Sequence, residues 1–335
     1  MSEDESLRQL VDDMVGSVAL DATGPDNLPP LWNLLLDNGL TMIGIDEEHG
    51  GSGGSLADLA TVVRALGSHG VGSPLVEVAT AAWMLNRGVG DGPDALAVFA
   101  AGTPQRVGNE IRIPRVPWAR HAEAVLTFLD GDPVRIPLRG SPVAIRPGVN
   151  VAGEPSDTVI LDASDLPITL ADTRSQHAVA ARYATLQSAA TVGAIRGAYE
   201  MTSQYVKSRH QFGGPLVDIP AVAAGLGLIR TQVLLAEAAL NNALAAVFDG
   251  PERTEALAAA ARVVTAQAGS EAARLSHQLH GAMGVTKEYT LHRLTTHLWA
   301  WRDAGMSQST WSTHVGTRAL EVGELDTWNG LTTAT

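Results

Sequence analysis

Apolar positions recur every three to four residues over the first part of the chain, a spacing that predicts helices. Leu7, Leu10, Val11, Met14, Val15 and Val18 place a first helix at about 6–20. Pro29 and Pro30 open a second over LWNLLLDNGL, since proline in a first turn loses no hydrogen bond, and Gly39 ends it. The glycine-rich GIDEEHGGSGGS that follows predicts a tight loop. Ser55, with Asp58 three residues on, has the form of a capping box for a helix carrying Leu56, Leu59, Val62, Val63 and Leu66. An alanine-rich helix from Leu75 to Leu85 comes next. Near residue 95 the pattern changes. ALAVFAAG, EAVLTFLDG, VRIPL and DTVILDAS are short apolar runs between Gly, Pro or Asp, and they read as strands of a small, mostly antiparallel sheet. Prolines recurring from Pro104 to Pro155 argue against a long helix there. From about Thr173 the 3.6-residue period returns and predicts long helices at about 176–208, 219–248, 252–280 and 291–304. Helices of that length belong to a bundle, and alanine runs such as ALAAAARVVTAQAG let them approach closely. The pattern is therefore multi-domain α+β. An N-terminal helical domain is expected at 1–94, a middle β domain at 95–172 and a C-terminal four-helix bundle at 173–335.

Composition narrows the function classes. The chain has 335 residues, enough for two or three domains with real cores. Its 23 basic residues against 36 acidic ones give a net charge of −13, which excludes an extended basic surface for nucleic acid. There is no cysteine, so disulfides, thiolate nucleophiles and cysteine-held metals are excluded. The acidic MSEDESLRQL lacks the apolar run of a leader. No apolar stretch of membrane-spanning length is free of charge or glycine, so a cytoplasmic protein without a membrane partner is expected.

Two segments carry candidate chemistry. YVKSRHQFG, from Tyr205 to Gly213, gathers Lys207, Arg209 and His210 at a helix C-terminus, where the helix dipole favours positive charge. QLHGAMGV, from Gln278, puts Gly281 and Gly284 after another long helix, and exposed amides in such a turn can hold a phosphate. Taken alone, each also reads as an ordinary helix end.

Together they say more. YVKSRHQFGGPL, QLHGAMGVTKEYTLHR and the N-terminal LWNLLLDNGLTMIGIDEEHGGSGGSLADLATVVRALG stand in the order and spacing of the acyl-CoA dehydrogenase family, and the chain resembles that family nearly end to end. The resemblance implies a helical N-terminal domain, a middle β domain and a C-terminal four-helix domain, with FAD held between subunits. By the same resemblance Arg209, Gln211 and Phe212, with Gln278, Gly281 and Gly284, reach the adenosine-diphosphate part of a neighbour's FAD. An arginine facing a pyrophosphate is the physically expected choice.

The departures share a direction. The family removes an α proton of an acyl-CoA thioester with a glutamate that follows the glycine turn. The matching stretch here is HLWAWRDAGMSQST, with Gly305 or a close neighbour at the expected position. Asp303 is the only nearby carboxylate, and its neighbour Arg302 makes it a surface ion-pair residue first and a weak catalytic candidate second. The family's alternative base position falls near Tyr183 and Ala184, which carry no carboxylate. The threonine-glutamate-proline run expected in the middle domain survives only as Thr103 and Pro104. Trp118 stands loosely where a flavin-strand tryptophan would, and Pro220 and Ala224 stand where glutamine and histidine are usual. Contacts to a neighbour's FAD are kept, while those to the chain's own flavin ring and proton abstraction are lost. The resemblance then points to the non-catalytic subunit of the α2β2 acyl-CoA dehydrogenases that actinobacteria use on steroids. A catalytic homologue would be the partner and an acyl-CoA the substrate. The alternatives are a self-sufficient homotetramer using Asp303 and a flavin-free scaffold subunit.

Overall fold

The computed structural model describes residues 3–19, 25–85, 96–164, 168–171, 173–248 and 250–323. Leu20 and residues 94, 95 and 172, where one helix end and two domain boundaries are expected, lie outside the described residues. The chain falls into two compact units: residues 1–62, 72–186 and 304–306 in the first, and 63–71, 187–303 and 307–335 in the second.

The first unit begins with α1 (Glu3–Ser17), α2 (Leu31–Asp37) and α3 (Leu56–Ser68), the last running on into the second unit. The capping box of α3 forms as its sequence predicts: the Asp58 amide donates to Ser55 Oγ at 3.2 Å and the Ser55 amide to Asp58 Oδ2 at 2.7 Å. Next comes α4 (Leu75–Leu85), buried along nearly its whole length, including Glu77. The β segment holds two four-stranded sheets rather than the single small sheet expected. One has the order β1 (Ala97–Phe99), β4 (Ala124–Leu129), β5 (Asp132–Pro137), β8 (Ile168–Thr169); β1 and β4 are parallel and the other pairs antiparallel. The other is antiparallel, in the order β2 (Gln105–Val107), β3 (Glu110–Pro117), β7 (Ser156–Asp162), β6 (Ala144–Arg146). A bulge between Ile113 and Val116, with Arg115 at φ 55°, interrupts β3, and the arginines and prolines of EIRIPRVP hide its alternation from the sequence.

One buried ion pair staples this sheet. Asp157 of β7 is fully buried and accepts from the Arg120 guanidinium at 2.6 Å, the Arg120 amide at 2.9 Å and the Gly148 amide at 3.0 Å. Its hydrogen bond to Asp157, with the nearby negative charge, holds the Arg120 pKa above the usual arginine value.

The second unit is helical. The single helix α5 (Gln176–Ser208) has the bounds its sequence predicts and carries the chain into this unit. It is followed by a short hairpin of β9 (His210–Gln211) and β10 (Gly214–Pro215), then α6 (Pro220–Ala245), α7 (Pro251–His280), α8 (Leu291–Arg302) and α9 (Gln308–Val322). Gly225, near the start of α6, packs against Leu279, near the end of α7, so the two run antiparallel. Small residues line the core: Ala258, Ala259, Ala261, Ala266, Ala272 and Ala273 of α7 are all buried. Where α3 meets α5, a Cβ on Gly193 would run into the Arg64 carbonyl. Arg262, buried among the α7 alanines, donates to the Trp301 carbonyl and, at 3.0 Å, to the Arg302 carbonyl, closing the C-terminus of α8 with positive charge. The helix α9 is an addition to the four helices expected here, all of which form. Trp311 is its only buried residue, so it shows no apolar stripe; its one signal is Ser307, whose Oγ accepts from the Thr310 amide at 3.2 Å.

Among the described residues, α6 alone is long and apolar enough to cross a membrane. Gly225, Gly227, Arg230 and Glu237 interrupt it, and one side of it is packed in the unit.

Candidate functional site

The two glycine-bearing segments are brought together in the second unit. Tyr205, in the last turn of α5, stacks on His280, the last residue of α7, with ring centroids 4.4 Å apart. Tyr289 packs on both rings, and its hydroxyl lies 3.1 Å from His280 Nε2. His280 Nδ1 faces the Ser276 carbonyl at 2.8 Å, and His277 Nε2 faces Thr295 Oγ1 at 2.8 Å. Burial holds both imidazoles below the usual histidine pKa; the neighbouring His292 adds to this at His277. The two imidazoles therefore favour their neutral form, and the stacked rings fix the two segment ends side by side.

Each segment presents its candidate residues outward. The Arg209 amide donates to the Tyr205 carbonyl at 2.8 Å, ending the helix, while its guanidinium is exposed and makes no hydrogen bond or ion pair among the described residues. Gln211 is exposed in β9. Phe212 is 91% exposed and sits at φ 55°, a left-handed conformation that bulky residues rarely adopt. Gln278 is exposed and accepts from Arg274 at 3.2 Å. Gly281, at φ 58°, turns the chain out of α7 into a 3-10 turn, with open space around its Cβ position. Gly284 is required by packing instead: a Cβ there would lie 2.9 Å from His280 Cβ.

The two positions where a base is expected differ in kind. Gly305, in the first unit, has φ 62°, and its Cβ position would lie 2.8 Å from Tyr183 Cε1 and 2.9 Å from Ala101 Cβ. Carbon pairs prefer about 3.5–4.0 Å, so no side chain fits at 305 as the chain stands. Tyr183 is itself held. Its hydroxyl donates to the buried Glu77 at 3.2 Å, and its ring meets Phe99 edge-on at 5.5 Å. Glu77 escaped the sequence reading; its signal was a lone carboxylate in the otherwise apolar LVEVATAAWML. Ala184 is buried. Asp303 caps α8 and takes a two-pronged contact from Arg302, with Nε at 3.0 Å and Nη2 at 2.8 Å, a bond that raises the Arg302 pKa. Trp118 is 5% exposed and belongs to the core of its unit.

Beside Tyr183 on α5, Arg182 is buried, with Nε and Nη2 unpaired and the guanidinium over the Trp83 ring at 5.0 Å. Burial, helped by the charge of Arg174, lowers its pKa to about 9, so it stays charged at neutral pH. Its Nη2 abuts Gly44, 2.9 Å from where a Cβ would stand.

The comparisons with known proteins agree with this architecture. The chain is 29% identical over 303 residues to the acyl-CoA dehydrogenase IpdE2 of Mycobacterium tuberculosis, covering 85% of this chain and 88% of that one. It is 26% identical over 293 residues to acyl-CoA dehydrogenase FadE28 of the same organism, covering 78% and 84%. Among solved structures, a variant of the Tcur3481-Tcur3483 steroid ACAD superposes with a TM-score of 0.83 at 22% identity, over 96% of this chain and 98% of that one. The ChsE4-ChsE5 complex from Mycobacterium tuberculosis gives 0.83 at 21%, also over 96% and 98%. At that identity the likeness shows the fold. Residues 4–89 match the acyl-CoA dehydrogenase N-terminal domain and residues 181–302 the C-terminal domain. Those two matches cover well over half of the chain, which belongs to the acyl-CoA dehydrogenase family.

Proposed function

We propose that this chain is the flavin-clamping, non-catalytic subunit of a heteromeric FAD-dependent acyl-CoA dehydrogenase that introduces an α,β double bond into an acyl-CoA thioester. The observation that carries this reading is the closed base position: Tyr183 and Ala101 occupy the space that a side chain at 305 would need. The clamp residues support it from the other side. A free guanidinium at Arg209 and an outward Phe212 suit a pyrophosphate and an adenine plane reaching in from another chain. FAD, when bound, supplies the hydride acceptor. Arg209 and Gln278 would hold its diphosphate part, and the base that takes the α proton would come from a catalytic homologue. Asp303, engaged by Arg302, has no part in proton abstraction on this reading. An actinobacterial steroid intermediate is the proposed acyl group, in keeping with the steroid ACAD and two-chain structures that share the fold. Domain limits near 94 and 172, and a cytoplasmic setting, belong to the same proposal.

The test is purification alone and with candidate catalytic homologues, with the visible spectrum recorded before and after acyl-CoA is added. Flavin absorbance and substrate bleaching are expected only for the co-purified pair. A chain purified alone that carries stoichiometric flavin and turns over acyl-CoA would refute the reading in favour of a self-sufficient homotetramer. A stable pair whose flavin content is indifferent to Arg209 would favour a scaffold.

A further inference from the structure

The fold supplies partners to other buried or half-buried arginines of this chain. Arg120 holds Asp157, and Arg262 donates to the Trp301 and Arg302 carbonyls. Arg182 is different. It is 5% exposed, its Nε and Nη2 make no hydrogen bond, and no carboxylate among the described residues pairs with it. The two idle donors share one edge of the guanidinium, where their N–H bonds run side by side. That edge matches both oxygens of a carboxylate in a two-pronged contact. An unsatisfied buried donor in a native fold points to a missing water or ion, and water cannot balance a buried charge.

The surroundings are cut to the guanidinium and add positive charge. Gly44, at φ 84°, leaves space that a Cβ would take, 2.9 Å from Nη2. Arg182 and Arg174 each lie over the Trp83 ring at 5.0 Å. Arg174 is exposed and Trp83 half-buried, so positive charge runs from the surface in to Arg182. The two like charges oppose one another, and an anion beside them would relieve this. All of these residues belong to the first unit. The ligand has to be small, because the idle edge is closed to solvent. One fully buried guanidinium balances one negative charge, which favours a carboxylate over a phosphate dianion. We infer that Arg182 is the centre of an anion site that takes the carboxylate head of a small organic acid. The inference rests neither on flavin binding nor on a non-catalytic role.

The probe is sodium acetate, added to the full chain at constant ionic strength with sodium chloride making up the balance, and thermal unfolding is the first readout. Acetate should raise the unfolding temperature along a saturating curve, because a ligand bound only by the folded state stabilises it. Arg182→Lys keeps the charge without the fork. It should raise the half-saturating concentration about ten- to a hundredfold, as expected for one lost charge-assisted hydrogen bond. Arg182→Met should fold, since an apolar side chain of similar volume replaces a buried unpaired charge, and it should lose the response. The Arg182 Nε–H resonance in nitrogen-labelled protein, assigned by its loss in Arg182→Lys, should move with the same half-saturation. The inference is overturned if acetate leaves the wild-type curve unchanged or chloride matches it, or if phosphate acts where acetate does not. It is equally overturned if Arg182→Lys or Arg182→Met responds as the wild type does, or if the Arg182 resonance stays still.

Discussion

Replacing Gly305 with alanine measures how completely the proposed base position is closed. Two separate costs are expected. A left-handed conformation costs a residue with a Cβ roughly 1–2 kcal/mol, and Gly305 sits at φ 62°. The new methyl would also be forced to within 2.8 Å of Tyr183 Cε1 and 2.9 Å of Ala101 Cβ. Tyr183 cannot swing away without breaking its 3.2 Å bond to Glu77 and its edge contact with Phe99. Overpacking of this kind costs about 1–3 kcal/mol, so Gly305→Ala should lose about 2–5 kcal/mol in all. The two parts separate in a double-mutant cycle. Tyr183→Ala alone should cost about 3–5 kcal/mol, as for other large aromatics. In that background Gly305→Ala should still pay the backbone part and the contact with Ala101, so the coupling with Tyr183 should be at most about 1–3 kcal/mol. Urea unfolding followed by tryptophan fluorescence reads all four corners, and Ala101→Gly supplies a milder second background. Additivity within about 0.5 kcal/mol in both backgrounds would show that the methyl meets no obstruction. The carrying observation for a non-catalytic subunit would then fall.

Further outcomes are expected. Arg209→Ala should weaken flavin retention by the complex about one to two decades, since a charge-assisted hydrogen bond contributes roughly 1.5–3 kcal/mol; titration of the apo complex checks it. Asp303→Asn should leave the rate of flavin bleaching by acyl-CoA nearly unchanged, whereas a true base would cost about 10²–10⁴-fold. Asp157→Ala should destabilise by up to about 3–5 kcal/mol, because it removes the buried partner of Arg120 and leaves it only the exposed Asp26, and thermal unfolding should show the loss. His277 and His280 have depressed folded pKa values, so the unfolded chain takes up protons first as pH falls. Their contribution to stability should be complete above about pH 6.5 and lost as the pH drops through the lower folded values. Urea midpoints from pH 7.5 to 5.5 should show this slope, reduced in His277→Gln.

Much of the fold was legible because it is written in local periodicity. Both ends of α5 and α4, and the capping box of α3, are where their residues put them. What stayed hidden is non-local or masked by charge. Pairing of β3 with β7 sets Glu110 opposite Asp162, across a long connection and through a bulge. The sparse apolar positions of α9 gave no stripe to read. At the candidate site, the sequence marks Gly305 as lacking a carboxylate. It cannot say that Tyr183 stands in the way, because Tyr183 is placed by Glu77, which is 106 residues away along the chain. Trp118 had two readings, core or flavin, and only its burial separates them. The proposed clamp residues were named by motif, while the histidine and tyrosine rings that set the two motifs side by side were not.

The alanine lining of α7 sets how this chain tolerates mutation. In most cores the damaging substitutions are truncations, because large side chains leave cavities behind. Here many buried positions, Ala258, Ala261, Ala266 and Ala272 among them, have little left to remove. Alanine to glycine costs only about 0.5–1 kcal/mol of helix propensity. Each added methyl group, by contrast, pushes two helices apart. The mutational spectrum of the second unit should therefore be inverted, with enlargement to valine or leucine depleted in a deep scan of α7 and reduction to glycine or serine tolerated.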